Sequence, residues 1–447
     1  MTASAGDTPR ESRRRWAIDL RPLSTPSYRR LWIGNAFSNY GYQFTAVAVP
    51  VEMYDLTHDS FWVGLLGIAA LVPLLVFGLW GGALADALDR RKLLIAGSLV
   101  MWVGTLGFLV QSLAGWRQPW LLLVFAAVQS CAFAVSQPTL TAIIPRLVPR
   151  DLVPSANTLS FTTSQAGMVL GPLTAGVIFA AWGLDAALPI AYGCDALLFT
   201  VGMWATLRLP AIPPAEKAGP AGLRSIVEGF RYLAGAPVLL LSFAVDIIAM
   251  TIAMPRALFP EVSADRFGGG AAVGWLFSAI AIGSVVGGLT SGWIGRVRRQ
   301  GLALVAAVVA WGVLVALAGF AGQLWLMVVL LAFAGAADLI SAVFRQSILL
   351  VYAPDEMRGR LQGVQIVVVA GGPRLGDLRA GTMAAAWGVG FAWIGGGLLA
   401  AGLAIALALV FPALTRYRVP APTEGPATGT GAAPQPAAAS EAISSAP

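Results

Sequence analysis

Five ionisable residues sit deep inside long apolar runs of this 447-residue chain: Asp195, Asp246, Asp338, Arg374 and Asp377. Two more arginines, Arg345 and Arg379, lie in similar surroundings. Placing such a group at the centre of a bilayer helix costs about 2.5–3.5 kcal/mol on insertion scales, so each marks a candidate working site. A carboxylate there can take up and release a proton, and the single histidine of the chain, His58, lies outside the runs. Asp is therefore the group left to carry protons. Asp246 and Asp377 are the leading candidates, with Arg374 or Arg379 setting their affinity. Arg374 and Asp377 are three apart and share a helix face, where they can pair. Asp338, Ser341 and Arg345 form a stripe about 10.5 Å long. The competing reading for each residue is a permanent ion pair that only fixes helix packing, and it is strongest for Asp195.

A cavity to go with these charges can be read from two further stripes. Asn35, Ser38, Asn39 and Tyr42 recur at i, i+3, i+4 and i+7, with Gln43 beside them. Met250 and Met254 follow Asp246 by one and two turns and, with Trp275 and Phe277, suggest soft and aromatic walls. The polar stripe could equally hold helices together by hydrogen bonds. Trp32, Trp62 and Trp116, at the ends of runs, read as interfacial anchors.

Other chemistries lack their residues. Cys131 and Cys194 fall inside apolar runs, where a thiol packs as a small hydrophobe. No His/Cys cluster is available for a metal, no nucleophile–base pair is visible, and no cofactor is expected. Apolar residues make up 57% of the chain and charged ones 11%, with mean hydropathy +0.75. A soluble protein carries about a quarter charged residues, so this composition belongs to a membrane protein. The net charge of +7 comes from clustered arginines and reads as membrane topology; it offers nucleic acid no exposed basic face.

A span needs about 20 apolar residues. Runs near 31–53, 62–85, 93–113, 119–144, 156–182, 187–207, 237–258, 272–294, 302–320, 323–352, 361–386 and 389–412 predict twelve transmembrane helices. Residues 1–30 form an Arg-rich tail without a cleavage site. With that tail inside, the segments on its side of the membrane hold 23 of the 29 basic residues, and the opposite side holds only Arg117, Arg256 and Arg266. The bias places both termini in the cytoplasm. Residues 208–236, with an amphipathic stretch at Ile226–Leu233, divide a bundle at 31–207 from one at 237–412. Residues 413–447 form a cytoplasmic tail, polar and disordered from 420 onward. The halves echo one another. Val63-Gly64, Gly78-Leu79 and Gly82 match Val273-Gly274, Gly288-Leu289 and Gly292 at an offset of 210. Pro149, Gly167, Gly171 and Gly176 match Pro354, Gly372, Gly376 and Gly381 at 205. Six helices repeated in parallel put a substrate cavity between the halves near mid-membrane.

Two motifs carry a family resemblance. Gly82-x-Leu84-Ala85-Asp86, ending in Arg90-Arg91, resembles the loop between the second and third helices of the major facilitator superfamily. That resemblance implies that Asp86 latches one conformation against the start of the eleventh span, here Arg358-Gly359-Arg360. The chain departs from the pattern at Ala87 and Asp89. Gly167-x-x-x-Gly171-Pro172-x-x-x-Gly176 is similar to the fifth-helix signature of the superfamily's antiporters, which implies export driven by inward proton flow. The fourth span lacks the arginine usual in drug–proton antiporters. Val47–Glu52, Leu56-Thr57-His58 and Pro354–Arg360 resemble the branch of enterobactin exporters and macrolide or multidrug efflux carriers. The resemblance spans roughly 20–415. It implies an all-α protein of two six-helix bundles in the bacterial cytoplasmic membrane, exporting a siderophore-like or drug-like molecule against protons, as a monomer. The rivals are an importer or facilitator of a metabolite and a non-transporting receptor or assembly partner.

Overall fold

The computed structural model describes residues 19–211 and 223–418, without the side chains of 79–87, 223–226, 355, 356, 359 and 366. The rest of the two tails and of the central connection lies outside the described residues. Within them the regular structure is all helical. In chain order come α1 (Pro26–Thr57), α2 (Ser60–Ala87), α3 (Arg90–Leu113) and α4 (Pro119–Leu147). The stretch Val153–Leu207 breaks at Gly183, whose φ of 69° and ψ of 169° suit a residue without Cβ, into α5 (153–182) and α6 (184–207). Then follow α7 (Leu223–Gly235), α8 (Pro237–Ile252), α9 (Phe259–Phe267), α10 (Ala271–Leu289), α11 (Gln300–Gly319), α12 (Leu324–Tyr352), α13 (Asp355–Trp387), α14 (Val389–Val410) and the short α15 (Pro412–Arg416).

Nine segments of the described residues are long and apolar enough to cross a bilayer, and one of them, 150–207, holds both α5 and α6. α1 and α13 are as long as the others but are not among the nine. The first carries the polar stripe from Asn35 to Gln43 and the second carries Arg374, Asp377 and Arg379. The fold is that of a multi-spanning membrane protein. One expected helix differs in shape. The run at 237–258 does not continue unbroken: α8 stops at Ile252, a turn at 253–255 and a 3-10 turn at Arg256–Leu258 follow, and α9 resumes. Pro255 is the cause, since it has no N–H to give and disfavours helical geometry in the residue before it.

Helices pack more with partners farther along the chain than with the next helix in sequence. α1 lies along the 153–207 arm, α2 and α3 on α4, α10 and α11 on α12, and α14 on α11. α8 lies on α13. The amphipathic stretch does form a helix, α7, which is fastened to α13 by an ion pair of 2.9 Å between Glu228 and Arg360. Before α1, Asp19 accepts hydrogen bonds from Arg21 and Ser155, and the Arg21 bonds hold its carboxyl well below the usual carboxylate range.

Early and late helices meet along α2–α13 and α5–α10. Glycine makes both approaches possible. A Cβ at Gly176 would lie 2.9 Å from the Gly274 Cα, and one at Gly381 would collide with the Ser60 carbonyl. The contacts gather toward the α1–α2 turn. There Ser60 donates a short hydrogen bond to Glu261, and Tyr54 reaches Asp265 at 3.5 Å. Farther along α2, Gly78 has nothing within 4 Å of its missing Cβ.

The packing can be tested at two glycines. Gly335 of α12 faces the Ile280 carbonyl of α10 with no room for a Cβ. Gly335→Val should therefore destabilise by about 1–3 kcal/mol through overpacking, while Gly78→Ala should not. Thermal midpoints of the two detergent-solubilised variants check this; equal midpoints would contradict the close-approach account.

Candidate functional site

A cavity of about 380 Å³ lies between early and late helices, within the size range of small-molecule sites. Tyr42 and Thr45 of α1 and Gln129 and Ser130 of α4 supply its polar wall on one side. Arg374 and Asp377 of α13 and Arg256 of the α8–α9 break face them. Arg374 crosses the gap. Its Nη1 donates to the Ala70 carbonyl at 2.9 Å and to Ser130 Oγ at 3.3 Å, and Ser130 donates to the same carbonyl at 2.5 Å. A late-half cation is thereby clamped to early-half backbone.

The expected Arg374–Asp377 ion pair is not made among the described residues. The guanidinium is drawn to α2 and α4, while the Asp377 carboxyl turns toward Ala257 and Arg256 in the break. Asp377 Oδ1 is buried without a hydrogen-bond partner. Arg256, counted from sequence among the basic residues of the outer side and not as a site residue, lines the cavity. The signal that could have found it is Pro255, which interrupts the apolar run.

The polar stripe of α1 faces a second cavity of about 270 Å³, enclosed by α1, α3, α4 and the 153–207 arm. Asn35, Ser38, Asn39 and Tyr42 all line it. Asn39 donates to Ser164 at 3.0 Å, so the hydrogen-bonding and cavity-lining readings hold together for this residue. Tyr42 borders both cavities.

Other predicted residues lie elsewhere. Asp246 of α8 pairs with Arg345 of α12, both almost fully buried, so Arg345 and neither Arg374 nor Arg379 is its partner. Asp338 is half-buried, and its backbone carbonyl accepts from Ser341 at 2.8 Å. Arg379 points away from the cavity and donates to the Ala392 carbonyl at 3.1 Å and to Met383. Met250 and Met254 form no soft wall. They are buried against Gly372 and Gly376 of α13, where a Cβ at Gly376 would come within 2.9 Å of the Met254 Cβ. Trp275 is exposed on the outside of α10, and Phe277 packs edge-on against Phe259. Asp195 faces hydroxyls: Thr45 donates to it at 2.5 Å and Thr105 at 3.3 Å.

The glycine helix does structural work at this interface. Gly167 and Gly171 bring α5 onto Asn39 and Gln43 of α1, and Pro172 and Gly176 bring it onto Gly274. Between α2 and α3, Asp89 accepts the Arg91 backbone N–H at 2.9 Å and caps α3. Arg90 is buried and reaches the Ala142 carbonyl at 3.4 Å, and Arg91 donates to the Leu207 carbonyl at 2.7 Å. The backbone of Gly82 and Asp86 is helical, but their surroundings lie outside the described residues.

Comparison with known proteins agrees with this architecture. The chain is 29% identical over 422 residues to the enterobactin exporter EntS of Citrobacter koseri, covering 92% of this chain and 98% of that one. The nucleoside transporter NupG shares the fold, with TM-score 0.69 and 16% identity over 88% of this chain and 100% of that structure. So does a bacterial homologue of the human lysosomal transporter Spinster in an inward-facing, unoccupied conformation, with TM-score 0.66, 14% identity and coverage of 89% and 97%. Residues 17–428 match the family described as transmembrane secretion effector. With that match over most of its length, the chain belongs to this branch of the major facilitator superfamily and is a membrane transporter, not an enzyme.

Proposed function

We propose that the chain is a secondary exporter that moves a siderophore-like or drug-like organic molecule out of a bacterial cell in exchange for protons. The observation that carries this reading is the polar cavity between early and late helices, with a cross-half cation, Arg374, and a carboxyl oxygen of Asp377 left without a partner. Alternating access needs two bodies that part and meet around such a cavity. The bodies in this proposal are six-helix bundles at 31–207 and 237–412, joined by 208–236. They contain twelve spans: the nine apolar segments, one of them counted twice because of its break at Gly183, and the polar α1 and α13.

Cytoplasmic termini, from the arginine bias, would put the α1–α2 turn outside. The bundles touch there, through Ser60–Glu261 and Tyr54–Asp265, so the present arrangement would be open to the cytoplasm. The kinship to an enterobactin exporter supports an organic, siderophore-like cargo and the outward direction. In this scheme Asp377 carries the proton and Arg256 and Arg374 set its affinity. The Asp246–Arg345 pair is the second charged couple available to respond. Asp86 would hold the cytoplasmic side shut against the start of α13 when the outer side opens.

Proteoliposomes with an imposed pH gradient, and enterobactin as the probe, test the chemistry. Asp377→Asn should reduce pH-driven flux to that of empty liposomes while the purified protein remains folded. Undiminished flux would remove Asp377 from the mechanism. The latch is tested by a cysteine placed at Thr57 in a background without Cys131 and Cys194. Asp86→Asn should lower its labelling by an impermeant maleimide, because the outward-open population falls; identical labelling would leave Asp86 without this role.

A further inference from the structure

We propose that Asp195 is a second proton-binding carboxylate, buried within the early helices and reached from the central cavity through Thr45 and through the Gln129–Thr105 pair. Its part in transport rests on the antiport reading above; its protonation does not.

Asp246 and Asp377 differ from it in having basic neighbours, and Glu52, buried and held by the neutral Tyr192 and Gln111, differs in having a donor on each of its oxygens. Asp246 has Arg345, and Asp377 has Arg256, Arg374 and Arg379 as charged neighbours. Asp195, only 1% exposed, has two hydroxyls. No basic side chain among the described residues makes an ion pair or hydrogen bond with it. The element beside it on each side is accounted for. α1 presents Thr45 and the bare Cα of Gly41, whose missing Cβ would lie 2.8 Å from Asp195 Oδ1. α3 presents Thr105. On its own helix, Cys194 is the adjacent residue, and Tyr192, one turn earlier, is occupied by a hydrogen bond of 2.6 Å to Glu52. Glu52 in turn accepts from Gln111 at 2.6 Å. Both hydroxyls donate to Asp195 Oδ2, which leaves Oδ1 buried with no partner.

A carboxylate stripped of water and of any cation is costly in this setting, and a bound proton removes its charge. A metal cation would need several oxygen ligands turned toward it, whereas here the hydroxyls are spent as donors to one oxygen. The site therefore fits a proton. It is also connected. Gln129 donates to Thr105 at 2.9 Å, and Thr105 donates to Asp195. Gln129 and Thr45 both border the central cavity, so two short hydrogen-bonded routes lead from its wall to the acid. Structural pairing alone would not call for a carboxyl at the buried end of both.

Infrared difference spectroscopy of the full-length protein in lipid, titrated with pH, reads the protonated acid directly through its carbonyl stretch. Asp195→Asn should remove one such band. Thr45→Val should keep the band but shift it, because the shortest donor to the group is gone; this arm decides the matter if the first variant does not fold. Spectra unchanged in both variants, or a band that appears only when sodium is withdrawn, would overturn the assignment. In wild-type proteoliposomes, the Asp195 band without pH-driven flux would dismiss the antiport reading alone. Flux without the band would dismiss only the role of Asp195.

Discussion

Every charge that this chain carries into the bilayer must find its partner inside the protein, because lipid offers none. That constraint sorts the buried ionisable groups by what they touch. Arg345 neutralises Asp246 at the meeting of α8 and α12. Arg374 spends its donors on the Ala70 carbonyl and Ser130, and so ties α13 to helices of the other half. Asp377 and Asp195 each keep a buried oxygen unpartnered, as Asp246 does with the oxygen turned away from Arg345, but neither of the two forms an ion pair among the described residues. Stability alone disfavours such groups, since an unsatisfied buried polar atom costs about 1–3 kcal/mol. Their persistence is easier to understand where charge has to change during a cycle.

The same environment removes the hydrophobic drive for helix association, so packing falls to close contact. Glycine supplies it at each junction between early and late helices. Gly64 and Gly67 admit the backbone of α13 around Asp377 and Arg374, which brings these two residues to the cavity wall. Chemistry and packing are thus set by the same few positions.

Much of this was legible in the sequence. Apolar runs located the helices, and the gap at 182–187 anticipated the break at Gly183. The i, i+3, i+4, i+7 stripe from Asn35 to Tyr42 does face a cavity. What could not be read was rotation. Arg374, Asp377 and Arg379 are spaced within six residues, yet the first two line the cavity and the third turns toward α14. Met250 and Met254 have the spacing of a wall but serve as fillers between α8 and α13. Arg256 was hidden for a different reason. Hydropathy averages over a window and smooths away the six-residue break at 253–258, even though it contains a proline.

The α5–α10 junction has a mechanical consequence. At Gly176 and Gly274 the two helices touch through their backbones, and one side chain bridges the same junction, Ser278 of α10 donating to the Val169 carbonyl of α5 at 2.9 Å. Where backbone meets backbone there are no knobs to withdraw from holes, so one helix can pivot on the other there, with the Ser278 hydrogen bond as the tie that must stretch or break. The α2–α13 junction is a mixed one, glycine beside the Arg374 clamp. The molecule therefore has one bearing held by a single neutral hydrogen bond and one with a charged catch, and the charged catch is the part that a ligand or a proton in the cavity can reach.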